Sequence, residues 1–147
     1  MTATGHAVIG TVIAAKIGNP ALAVPLALAS HVAADYFPHW DFATNKMYKS
    51  KKRLFIESCI DVAFGLILSY IIIGTLFPQT NLVYAFFIII AAQSFDWIMA
   101  PYYFLGSNLF KWAYTFGKAT NRELDKPWGI INQVVVLVLL VILAKFF

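Results

Sequence analysis

Between Ser30 and Asp41 the chain runs Ser-His-Val-Ala-Ala-Asp-Tyr-Phe-Pro-His-Trp-Asp, which sets two histidines and two aspartates inside a strongly apolar sequence. Ionisable groups in an apolar segment are costly to bury, so where they occur they point to function. His31 and Asp35 are four residues apart, which on a helix stacks them on one face, and Glu57 and Asp61 repeat that spacing. Pro38 ends or kinks the helix that carries the first pair and lets His39 and Asp41 turn back toward it from a short non-helical run. Imidazole nitrogens and carboxylate oxygens are the usual donors to divalent transition metals, and a carboxylate behind the ligands can orient a histidine or act as a base. The chemistry expected of this set is therefore metal-assisted, with zinc foremost and manganese or iron as the other candidates.

Such residues have to be positioned by helices in a bilayer. Of 147 residues, 61% are hydrophobic and 12% charged, and the mean hydropathy is +0.74, well outside the range of soluble domains. The chain is expected to be an all-α, polytopic membrane protein forming a single integral domain over 1–147, with no secretory leader and no separate soluble domain. Leu54 to Phe77, Asn81 to Ala100 and Trp128 to Phe147 are each long enough to cross a hydrocarbon core of about 30 Å. Thr4 to Ile17 and Pro20 to Phe37, separated only by Gly18 and Asn19, predict an N-terminal helical hairpin, short enough to be tilted or re-entrant. Leu109, Phe110, Ala113 and Phe116 recur at helical spacing and predict an interfacial helix between Ser107 and Lys118; Thr120 with Glu123 resembles a capping box before Pro127. Cys59 stands alone in an apolar run and is read as core packing.

Lys46, Lys49, Lys51, Lys52 and Arg53 fill one loop, and Lys111, Lys118, Arg122 and Lys126 the next loop on that side. By the positive-inside rule, loops 42–53 and 101–127 are cytoplasmic. On that topology His6, His31, His39, Asp35, Asp41, Glu57, Asp61 and Asp96 all fall near the cytoplasmic ends of their helices, which suggests one shared polar cavity. Plainer readings exist for each. His6 could be a helix-start or headgroup contact, Glu57 could pair with Lys51 to Arg53, and His31 with Asp35 could be a polar clamp that only fixes helix packing. Ser58 and Ser94 read as packing hydroxyls rather than nucleophiles, and nothing in the chain suggests a nucleic-acid module.

The opening Met-Thr-Ala-Thr-Gly-His (1 to 6), the apolar hairpin after it and Ser-His-Val-Ala-Ala-Asp (30 to 35) together resemble the YdjM-like family of inner-membrane, metal-dependent hydrolases. His6 corresponds to that family's opening histidine, His31 and Asp35 to its His-x-x-x-Asp pattern, and Pro38-His39-Trp40-Asp41 to its Pro-Asp-x-Asp segment, with His39 in place of the first Asp. The family's later His-Ser element has Glu57 before Ser58 here, and Gln93-Ser94-Phe95-Asp96 lies without a His where the family carries its own Ser-His-x-x-x-Asp copy. The resemblance covers mainly residues 1–41 and implies a metal-dependent hydrolase.

The expected mechanism has His31, Asp35 and His39, completed by His6 or Asp41, holding a divalent metal below the cytoplasmic headgroups, with Asp61 or Asp96 as the base behind it. The basic loop 46–53 would attract an anionic substrate such as a phospholipid or lipid phosphate. Membrane lipids are the expected partners, and a homo-oligomer is compatible with the sequence. The alternatives are a proton- or cation-handling transporter using the same groups, and a small scaffold whose polar residues only lock helices together.

Overall fold

Asn19 and Pro20 set the first reversal of the chain. The Asn19 side chain accepts a hydrogen bond from the Ala21 amide at 2.9 Å, and Pro20 begins the helix where its missing donor is harmless. In the computed structural model, which describes residues 1–147, the arms of this hairpin are α1 (Ala3–Lys16) and α2 (Pro20–Tyr36). They are followed by α3 (Lys51–Leu76), α4 (Leu82–Leu105), α5 (Lys111–Thr120) and α6 (Trp128–Phe146). The molecule is all-helical, as expected, and α3, α4 and α6 are long and apolar enough to cross a membrane.

α1 is the centre of the bundle. It is short, 14 residues, and apolar on every side, the pattern of a helix surrounded by others rather than exposed on one face. It packs against α2, α3, α4 and α6. Small residues allow this. A Cβ on Gly10 would lie 2.9 Å from the Ile89 Cα, and one on Gly65 would lie 2.9 Å from the Thr4 Cα, so α4 and α3 approach α1 nearly backbone to backbone. Ile13, Ile73, Ile88 and Ile89 close the half of the bundle away from the polar loops. Outside, Phe64, Ile67, Ile71, Phe87 and Val138 are exposed, an arrangement suited to hydrocarbon rather than water.

Three local expectations are corrected. α4 continues through Pro101 to Leu105, where the sequence suggested an end at Ala100; a proline removes one amide donor but does not itself stop a helix. The stop comes at Gly106, whose φ of 73° ends the helix as its amide donates to Tyr102 O at 3.0 Å. Thr120 and Glu123 form no capping box. Thr120 is the last residue of α5 and its hydroxyl donates back to Gly117 O at 3.1 Å, while Glu123 lies in an extended strap. Cys59 is exposed on α3 rather than packed in the core.

The strap is the one tertiary connection between the polar loops that carries backbone pairing. Arg122 N–H donates to Asp35 O at 2.9 Å, His39 N–H to Arg122 O at 3.2 Å, and Leu124 N–H to His39 O at 2.6 Å. Because α2 has ended at Phe37, its last carbonyls and the amide of His39 lack helical partners, and residues 122–124 supply them.

The same substitution at two glycines of α3 separates close packing from helix propensity. Gly65→Ala forces a Cβ against the α1 backbone and is expected to lower stability by about 1–3 kcal/mol. Gly74→Ala meets nothing within 4 Å and is expected to be neutral or slightly stabilising. Thermal unfolding of the two variants in detergent measures the difference.

Candidate metal centre

Three helices and the loop after α2 deliver the polar residues to one place. α1 brings His6 one turn from its start, α2 brings His31 and Asp35 on one face, α4 brings Asp96, and Pro38 turns the chain so that His39 and Asp41 follow. The three imidazoles converge on the Asp35 carboxylate. His6 Nε2 is 3.2 Å and His39 Nε2 4.0 Å from Asp35 Oδ1, and His31 Nε2 is 3.4 Å from Oδ2. The Met1 amino group also touches Asp35. His6, His31, Asp35 and His39 are all buried.

The tautomers of two histidines are fixed by the backbone. His31 Nδ1 lies 2.7 Å from Ala92 O and His39 Nδ1 2.7 Å from Phe37 O; a carbonyl can only accept, so each Nδ1 carries the proton. In the neutral ring the lone pair then sits on Nε2. Those Nε2 atoms, with that of His6, are buried and make no hydrogen bond, although each faces a carboxylate. A lone pair aimed at an anion is repulsive unless the ring takes up a second proton or a cation stands between them, and a carbonyl holding the other nitrogen is the usual device for orienting a metal-binding histidine. The spacing agrees. Donors about 2.0–2.1 Å from a tetrahedral ion stand about 3.3 Å apart, and opposite donors of an octahedral ion about 4 Å apart. His6, His31 and Asp96 offer ligand atoms all within 4.8 Å of one another, and His31 Nε2 is 3.7 Å from Asp96 Oδ1.

The remaining candidates are placed differently. Asp41 turns Oδ1 to Thr44, accepting from its amide at 2.7 Å and its hydroxyl at 3.1 Å, and turns Oδ2 to His39 Nε2 at 3.6 Å. Burial pushes the Asp41 carboxyl up, but the His39 imidazole, nearby positive charge and the Thr44 amide together outweigh it and hold it at about 2. Asp61 binds the start of α1, accepting from Ala3 N at 2.7 Å, Thr4 N at 3.2 Å and the Thr4 hydroxyl at 2.6 Å. Glu57 pairs with Lys49 at 2.6 Å and Arg53 at 2.8 Å, at the surface and away from the centre.

α3 and α4 touch each other little because both lean on α1, and the gap between them forms a cavity of about 570 Å³. Asp35, Asp41 and Asp96 line its polar end, Lys46 and Lys118 its rim, and Phe55, Leu66, Trp97 and Phe104 its apolar wall. Lys46 Nζ sits 5.4 Å from the ring centres of both Tyr103 and Tyr114. Sequence reasoning missed Glu123 and Asn121 in this wall, since Glu123 was read as half of a capping box and Asn121 was not singled out. Burial, then the Asp41 charge, raises the Glu123 carboxyl above the ordinary range. No local signal marks either residue, because the strap brings them in from a remote part of the chain.

No family model matches the chain, and no match was found among curated proteins or solved structures.

The Asp61 geometry has a measurable consequence. Asp61→Ala removes the acceptor from the first amides of α1 and is expected to lower stability by about 1–2 kcal/mol in denaturation experiments. Metal content is expected to be unchanged once the variant is folded.

Proposed function

We propose that the chain is a membrane-embedded metal-dependent hydrolase with its centre at the cytoplasmic face of an inner membrane, as the YdjM-like resemblance implies. One observation carries the reading: three buried imidazoles aim unpartnered Nε2 atoms at a single carboxylate. His6, His31 and Asp96, with Asp35, would hold the ion, zinc foremost and manganese or iron otherwise. Such an ion supplies Lewis acidity, polarising a phosphoryl or carbonyl oxygen and making water a better nucleophile at neutral pH.

The chain's own groups do the rest. Ala92 O and Phe37 O hold the Nδ1 protons of His31 and His39, which leaves Nε2 of each neutral ring available to an ion. Asp96 faces His31 on one side and the cavity on the other, so its carboxylate can hold the ion or accept a proton from the attacking water. Asp61 is a positioning residue in this reading, fixing the helix start that carries His6. Lys46 and Lys118 at the rim suit an anionic headgroup, and Phe55, Leu66, Trp97 and Phe104 suit an acyl chain entering between α3 and α4, which together favour a phospholipid or lipid phosphate. The basic residues of loops 42–53 and 101–127 support a cytoplasmic orientation. The closely packed isoleucines of the opposite half favour hydrolysis over translocation, since a conduit would need polar groups there.

The test is the metal content of protein purified in detergent without chelator, beside a His31→Ala variant of equal monodispersity. Bound zinc, manganese or iron that is lost in the variant supports the reading and justifies a screen of short-chain lipid phosphates. On an active substrate, Lys46→Ala with Lys118→Ala is expected to raise KM about tenfold with little change in kcat. Protein that binds none of these ions, even after incubation with each, refutes the proposal.

A further inference from the structure

The donors do not all belong to one ion. His6, His31 and Asp96 form one tight group, and His39 stands outside it with a carboxylate of its own. His39 is fully buried, its Nδ1 proton is committed to Phe37 O, and its Nε2 has no hydrogen-bond partner. That Nε2 faces Asp41 Oδ2 at 3.6 Å and Asp35 Oδ1 at 4.0 Å. Both separations are too long for hydrogen bonds and fit donors arranged around a cation. Asp41 is prepared for the role, because Thr44 fixes Oδ1 and leaves Oδ2 with only a long contact from Asn121 Nδ2 at 3.4 Å.

We propose that the chain carries a second divalent-cation site, made by His39, Asp41 and Asp35, with Asp35 bridging it to the ion held by His6, His31 and Asp96. It rests on the metal-centre reading above and extends it from one ion to two. The Asp35 carboxylate is suited to the bridge, since Oδ2 faces His31 while Oδ1 faces both His6 and His39. The Met1 amino group also contacts Asp35 Oδ1, and the second ion would take its place on that oxygen. Two ions about 3.5–4 Å apart, sharing a carboxylate, form the clamp that stabilises both attacking and leaving oxygens in a displacement at phosphorus. The substrate class this favours is a phosphate ester, whose charge two cations share, over a carboxylic ester. Three protein donors at the second site leave it open on the cavity side, where Asp41 is part of the wall.

The experiment is metal stoichiometry after saturation with Zn²⁺ or Mn²⁺ and removal of free ion, on wild-type protein and on His39→Ala, Asp41→Asn and His31→Ala. Wild type is expected to retain about two ions per chain, and His39→Ala and Asp41→Asn about one each. The wild-type Mn²⁺ form is expected to give the electron paramagnetic resonance spectrum of an exchange-coupled pair, a readout that does not require any variant to fold. About one ion per chain in wild type, with an isolated-ion Mn²⁺ spectrum and no change in His39→Ala, would overturn the second site while leaving the first intact. If wild type binds no ion, both the second site and the hydrolase reading fail together.

Discussion

Asp35 is a carboxylate placed where water cannot solvate it, and much of the polar architecture answers that constraint. A buried anion needs positive charge or several donors. Here the Met1 amino group contacts it and three histidines from α1, α2 and the following loop surround it, two of them with Nδ1 held by backbone carbonyls so that Nε2 faces the anion. Neutral histidines in that orientation do not compensate a carboxylate. In the proposed reading the other half of this arrangement is a bound cation.

The scaffold holds this arrangement by close approach rather than by bulky packing. Gly10 and Gly65 bring α4 and α3 against α1, so the positions of His6, Asp61 and Gln93 are set nearly by backbone geometry. Gln93 donates to Ala3 O at 2.9 Å and Asp61 accepts from Ala3 N at 2.7 Å, so the first turn of α1 is gripped from α4 and α3 at once. Since α3 and α4 are occupied with α1, the space between them stays open and becomes the cavity. Site and access therefore have one origin, a small-residue helix at the middle of the bundle.

What the sequence disclosed was what depends on local spacing. His31 and Asp35 share a face because they are four apart, His39 and Asp41 return because of Pro38, and the hairpin turns at Asn19-Pro20; each of these is a near-neighbour relation. Asp96 was legible as a polar residue near the right end of its helix, but not as a partner of His6 and His31, which needs the packing of α4 on α1. Asp61, like Asp96, was expected as a base because it lies near the cytoplasmic end of its helix; its engagement with Ala3 and Thr4 depends on which helix lies opposite. Glu123 was assigned to a capping box on local pattern alone, while backbone pairing with residues 35–39 decides its place. The extension of α4 through Pro101 was hidden for a different reason, since proline weakens a helix without specifying where it stops.

The strap bears on how the protein comes to be assembled. Residues 122–124 complete the backbone of the segment that holds Asp35 and His39, yet they are made long after it and just before α6. During synthesis the early hairpin therefore leaves the ribosome with its acidic and imidazole groups unsheltered, and α1, at about 21 Å too short to span alone, waits for later helices to enclose it. The backbone around Asp35 and His39 is thus completed only when residues 122–124 close over the segment that holds them.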